Sequence, residues 1–149
     1  MKSSLVLVYV LVLSGCGGLV LRPADFSWPV ESVLNVDAKG MASEDRYSMS
    51  FNIKPLLFDE TGDSTHVSRA TLRMIRDVNG YYFVTGTKFK NVYVFSSDDG
   101  ALKLQNKIMA KESGLENPAF NQRPPYIQLL NEKDKPLLLS RSGIQQGGK

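Results

Sequence analysis

The stretch LRMIRDVNGYYFVTGTKFKNVYVFSSDDGALKL, residues 72–104, decides how this chain folds. It holds two runs of aromatic and β-branched residues, YYFVT at 81–85 and VYVF at 92–95. Such side chains fit the pleated surface of a strand, and a continuous apolar run predicts a central strand covered on both faces. Turn chemistry frames them. DVNG at 77–80 precedes the first run and SDDG at 97–100 follows the second, and each ends on the glycine that a tight turn favours. Beyond it, ALKLQNKI at 101–108 alternates again through Leu102, Leu104 and Ile108. The rhythm of strand, turn and strand predicts antiparallel hairpins.

The same reading extends outward. RYSMSFNIK at 46–54 alternates strictly, with Tyr47, Met49, Phe51 and Ile53 on one face and polar residues on the other, which predicts a strand with one buried face. VESVLNV at 30–36 is a weaker strand with Val30, Leu34 and Val36 inward, joined to the next by the turn DAKG at 37–40. VSRATLRMIR at 67–76 alternates as a strand, yet Arg69, Arg73 and Arg76 also share a helix face. The hairpin signal directly after it favours the strand. YIQLL at 126–130 and PLLLS at 136–140 complete the set, joined by the charged turn NEKDK.

Four strands in a row resemble one blade of a β-propeller, but a propeller needs about four blades, and no segment recurs at a fixed period along the 149 residues. The expected fold is mostly β, a single antiparallel β-sandwich or small barrel-like domain over 30–142. A flexible tail is expected over 143–149. The alternative is α+β, with one helix near 65–77.

Composition limits the function classes. Eighteen Lys and Arg against fifteen Asp and Glu leave a net charge of +3, with the signs mixed along the chain. A nucleic-acid partner would favour a clustered basic patch, so none is expected. One cysteine cannot form an internal disulfide.

That cysteine has another use. Lys2 begins a short basic segment, LVLVYVLVL at 5–13 is unbroken apolar sequence, and small residues follow. This is the anatomy of a secretory signal. Gly15, Gly17 and Gly18, together with the shortness of the apolar run, weigh against a spanning helix. LSGC at 13–16 resembles the lipobox of bacterial lipoproteins. The resemblance covers the leader and ends at Cys16. It implies a signal peptide at 1–15, cleavage before Cys16, a diacylglycerol on the Cys16 sulfur and usually a further acyl chain on the new amino group. Several chains on one residue give durable anchoring, where one chain holds only marginally. Residues 16–29 would then be a lipidated tether. Its thirteen residues after Cys16 reach at most about 45 Å, which keeps the domain near the membrane. Gly17 in place of aspartate resembles outer-membrane sorting in a diderm host. The expected location is the bacterial cell envelope.

Chemistry-bearing clusters are sparse. His66 is the only histidine, close to Asp63 and Ser64, but triad members usually converge from separate segments. DETGD at 59–63 and SDDG lack the spacing of a calcium loop, and zinc would need several Cys or His ligands. No catalytic residue, metal or cofactor is expected. The irregular segment ENPAFNQRPPY at 116–126 has three prolines between two strand patterns, and reads as a stiff loop with Phe120, Asn121, Gln122, Arg123 and Tyr126 as binding candidates. The expectation is a membrane-anchored module that binds an envelope protein. A small ligand, glycan or peptidoglycan is the alternative, and an enzyme of unknown class the third.

Overall fold

The computed structural model describes residues 30–67 and 70–145. Cys16, the LSGC motif and the tether lie outside the described residues.

Two loops of one chemistry start the sheet. In DAKG, Asp37 Oδ1 accepts the N–H groups of Lys39 and Met41 at 2.9 and 2.8 Å. In DVNG, Asp77 Oδ1 accepts those of Asn79 and Tyr81 at 2.9 and 2.8 Å. Gly40 and Gly80 close these loops at φ +88° and +89°, a left-handed conformation that a Cβ disfavours. The first loop joins β1 (Ser32–Asn35) to β2 (Met41–Glu44), and the second joins β4 (Thr71–Arg76) to β5 (Tyr82–Gly86). β6 (Asn91–Asp98) and β7 (Ala101–Met109) meet at the two-residue turn Asp99–Gly100. Both turn residues have positive φ, as a turn that matches strand twist requires.

These strands form an antiparallel five-stranded sheet in the order β1-β4-β5-β6-β7. A second sheet has the order β11-β10-β9-β8, built from β8 (Pro118–Arg123), β9 (Tyr126–Asn131), β10 (Leu137–Ser140) and β11 (Gly143–Gln145). It covers one face of the first and buries Phe83, Val92, Val94, Phe120, Ile127 and Leu139 between them. The hairpin of β2 and β3 (Met49–Asn52) and the helix α1 (Lys54–Thr61) cover the other face, burying Leu72, Met74, Tyr82, Val84 and Tyr93. The molecule is therefore mostly β: a sandwich of two sheets with a hairpin and one helix added. A Val36–Ala42 bridge joins β1 to β2, so the sheet turns over its own face without closing into a barrel.

The continuous runs are central strands, since Tyr82 to Gly86 and Asn91 to Val94 are all buried. Of the ambiguous segment, Thr71–Arg76 forms β4, not a helix.

Several details differ from expectation. The 46–54 strand is only four residues long. Buried Glu44 accepts the Tyr47 N–H at 2.9 Å and caps a 3-10 turn at Asp45–Tyr47, and Ser48 then sits at φ 50°. The helix begins where that strand was expected to end. Pro55 falls in its first turn, where a missing N–H costs nothing, and Gly62 ends it at φ 72°. Val30 is 59% exposed, and β1 begins only at Ser32. ENPAFNQRPPY is no irregular loop: β8 and β9 form a hairpin in register from Pro118–Asn131 to Arg123–Tyr126, with Pro124 and Pro125 at its turn. The expected tail at 143–145 pairs with β10 as β11.

Candidate functional site

The hairpin and helix are too narrow to cover the whole five-stranded sheet. Beyond them, a groove of about 420 Å³ runs between α1 and the face of β6 and β7. Its floor is Tyr93 and Phe95, stacked with ring centroids 6.5 Å apart. Phe51 and Leu56 form one wall, and Leu102 and Leu104 the other. A second depression of about 440 Å³ shares Phe51 and Leu102 and continues along β3 to the β6–β7 turn.

A bulge makes this lining possible. Val94 pairs with Asn106, but Phe95 pairs with Leu104, so Gln105 is the extra residue. Lys107 lies on the groove face, across from Tyr93. Strict alternation would place Gln105 and Lys103 beside it. The extra residue shifts the phase, and Leu104 and Leu102 take those places. Ile108 points to the opposite core. The alternation of Leu102, Leu104 and Ile108 in the sequence therefore spans two faces.

One end of the groove is polar. Lys107 Nζ donates to Asp59 Oδ2 at 2.5 Å, and the Tyr93 hydroxyl donates to the same oxygen. These bonds hold the Asp59 carboxyl below its ordinary pKa. Burial first, and then the bond to Asp59, push the Tyr93 phenol well above its usual value, so it stays protonated as a donor. Lys107 Nζ also lies 5.7 Å from the Tyr93 ring centroid. The next helix residue, Glu60, accepts the N–H groups of Lys90 and Asn91 at 2.8 and 3.1 Å and pins α1 to the sheet. The charges in the groove are paired, and its walls are apolar.

The residues singled out in the sequence lie elsewhere. Phe120 is 6% exposed, packed in the inter-sheet core, so it is not free to bind. Its N–H donates to Glu31 Oε1 at 2.6 Å. Asn121 faces solvent, and the Gln122 side chain donates to the Arg76 carbonyl at 3.3 Å. Arg123 is exposed at the turn, with no carboxylate in ion-pair range among the described residues. Tyr126 lines a polar depression of about 540 Å³ where three hairpin turns meet, beside Tyr81, Arg141, Ser140 and Ser142. His66 Nδ1 lies 2.7 Å from Asp63 Oδ2 in an exposed loop. Thr65 hydroxyl and N–H bonds, with His66, hold the Asp63 pKa at about 2; the cluster is a loop stitch, and Ser64 takes no part in it. No three His, Cys, Asp or Glu side chains converge as a metal site among the described residues.

Sequence reasoning missed the groove. It took Leu102, Leu104 and Ile108 for one strand face, and weighed Asp59 as part of a calcium loop. The Pro55 and Gly62 punctuation of α1 was the available signal. No protein-family model, curated protein or solved structure matches the chain. No helix among the described residues is long and apolar enough to cross a membrane.

Proposed function

We propose that this chain is a lipid-anchored binding module of the bacterial cell envelope, held to the membrane through Cys16, which receives an apolar segment of another envelope protein in the groove. The observation that carries the reading is the half-covered sheet face: Leu104 is 51% exposed beside partly buried Phe95 and Leu102, with the nearby charges already paired. Contiguous apolar surface rimmed by polar groups is the usual mark of a protein partner. Asp59, Tyr93 and Lys107 satisfy one another, which suits a fixed binding wall.

The test is site-directed cross-linking in native membranes. A photoreactive residue at Leu104 is expected to give a defined adduct, absent when it sits at Leu130 on the second sheet. Leu102→Asp is expected to abolish the Leu104 adduct. Equal labelling from Leu104 and Leu130 would sink the reading. Cys16→Ala is expected to leave an unlipidated precursor; acyl label retained on that variant would remove the anchor from the proposal.

A saccharide ligand is the second reading, favoured by the depression at the turns, where two tyrosines and Arg141 stand among hydroxyls. Tyr126→Ala should then weaken retention on soluble peptidoglycan fragments. Unchanged retention removes this reading.

A further inference from the structure

Among the described residues, the groove lies between two strands that each have one partner within the sheets: β3 pairs with β2, and β7 pairs with β6. Through the Val36–Ala42 bridge, the strands run in spatial order β3-β2-β1-β4-β5-β6-β7. Every neighbouring pair is antiparallel. With seven strands, the first and the last run in the same direction. The lining agrees: the start of β3 shares a depression with Leu102, and its end shares the groove with Leu104 and Lys107. β3 and β7 therefore cannot complete an antiparallel barrel with each other. One further strand, antiparallel to both, would complete it.

The backbone registers fit that strand. The Ile53 N–H donates to Gly40 O at 2.9 Å, so the hydrogen-bonded pairs of the β2–β3 hairpin include Ala42–Phe51, and those between alternate with it. The N–H and C=O of Ser50 and Asn52 thus point to the open edge. In β7, the Asp99–Gly100 turn makes Asp98–Ala101 the closing hydrogen-bonded pair, and Ser96–Lys103 the next. The backbone groups of Leu102 and Leu104 then point outward. Ser50 and Asn52 face Leu102 and Leu104 across the groove. An open edge of this kind is a template for an added strand.

We infer that the groove takes its partner by strand addition: an extended segment enters between β3 and β7, antiparallel to both, and completes an eight-stranded barrel. The occupant follows from the walls. Its backbone bonds to Ser50 and Asn52 on one side and to Leu102 and Leu104 on the other. Alternate side chains point inward to Phe51 and Phe95, so these are apolar. It is uncharged over this stretch, because Asp59 and Lys107 neutralise each other and leave no free charge to match. This inference rests on the proposed function, and adds how the segment binds.

The experiment uses the lipidated chain in native membranes. The segment captured by a photoreactive residue at Leu104 is identified, resynthesised as a peptide and added to the purified protein. Amide hydrogen exchange is then read at Ser50, Asn52, Leu102 and Leu104. All four amides are expected to exchange fast without the peptide and at least about tenfold more slowly with it, as for newly bonded amides. Replacing Leu104 with its α-hydroxy acid removes one outward N–H and keeps the side chain. Losing one hydrogen bond in this way is expected to weaken the peptide about fivefold. Binding with these amides unprotected, or insensitive to the ester, overturns strand addition and leaves the binding module standing. An adduct within the chain's own residues 17–29 overturns the partner as occupant. No specific adduct overturns both.

Discussion

The two faces of the five-stranded sheet are built from the same strands and closed by different means. On one face a four-stranded sheet lies over the strands, and nine buried side chains from the two sheets, with Leu115 from the loop between them, fill the space. On the other, a two-stranded hairpin and an eight-residue helix serve as cover. The first cover matches the sheet it packs on. Among the described residues, the second is hydrogen-bonded to β6 and β7 only at Asn91, Tyr93 and Lys107 and leaves the rest of their face as the side of a groove. A sheet buries both faces only when both covers are as wide as it is, and the place where one falls short is the place available for binding.

The sharpest way to break the comparison is to truncate one side chain on each face. Phe83 is fully buried between the sheets, so Phe83→Ala should cost about 3–5 kcal/mol. Leu104→Ala, on the groove wall, should cost under about 0.5 kcal/mol. Denaturant unfolding of the two variants checks both values, and similar costs would mean the groove face is packed as tightly as the other.

Glu44 gives the face covered by the hairpin an acid-sensitive point. Burial pushes its pKa up, but bonds from Ser32 at 2.5 Å, Arg46 at 2.7 Å and the Tyr47 N–H outweigh it and hold the carboxyl below 4.5. A carboxyl with a depressed folded pKa adds stability above its unfolded pKa, and that stability is lost as the pH falls through the folded value. Unfolding free energy should therefore drop below about pH 4.5. Glu44→Gln should flatten that drop and cost about 1–3 kcal/mol at neutral pH, the value of bonds to a buried charged group. A drop equally steep in the variant would assign the acid sensitivity elsewhere.

Smaller effects sharpen the site itself. Tyr93→Phe removes the hydroxyl bond to Asp59 and keeps the ring, so it should cost about 1 kcal/mol in unfolding experiments. Arg123→Ala should leave stability within about 0.5 kcal/mol, since Arg123 is exposed at a turn without an ion-pair partner among the described residues. A melting drop of several degrees would make Arg123 an internal clamp.

The contrast between the faces also explains what the sequence revealed. Central strands were legible because burial on both sides leaves a continuous apolar run, as in YYFVT and VYVF. Loops were legible because Asp–x–x–Gly has one good backbone solution, used at 37–40 and again at 77–80. The hairpin at 118–131 was hidden by Pro118 at its start, by Pro124 and Pro125 at its turn, and by polar Asn121 and Gln122 on its outer half. The helix was hidden because KPLLFDET buries only Leu57 and so has little helical periodicity to read. The groove was hidden for a deeper reason. Its walls come from segments about fifty residues apart in sequence, and one of those segments changes phase midway.

That phase change has an evolutionary consequence. Gln105 is a spacer between two halves of one strand that answer to different constraints. Asn106 and Ile108 are tied to the second sheet, where Asn106 donates to the Arg141 carbonyl at 2.9 Å and Ile108 fills the core. Residues 102–104 belong to the groove. Deleting Gln105 would leave both halves facing as they do now, because an extra residue is what the bulge absorbs. The tip of the β6–β7 ribbon can accordingly change in pitch without disturbing the packing behind it, and the shape of the groove can be retuned while the scaffold stays as it is.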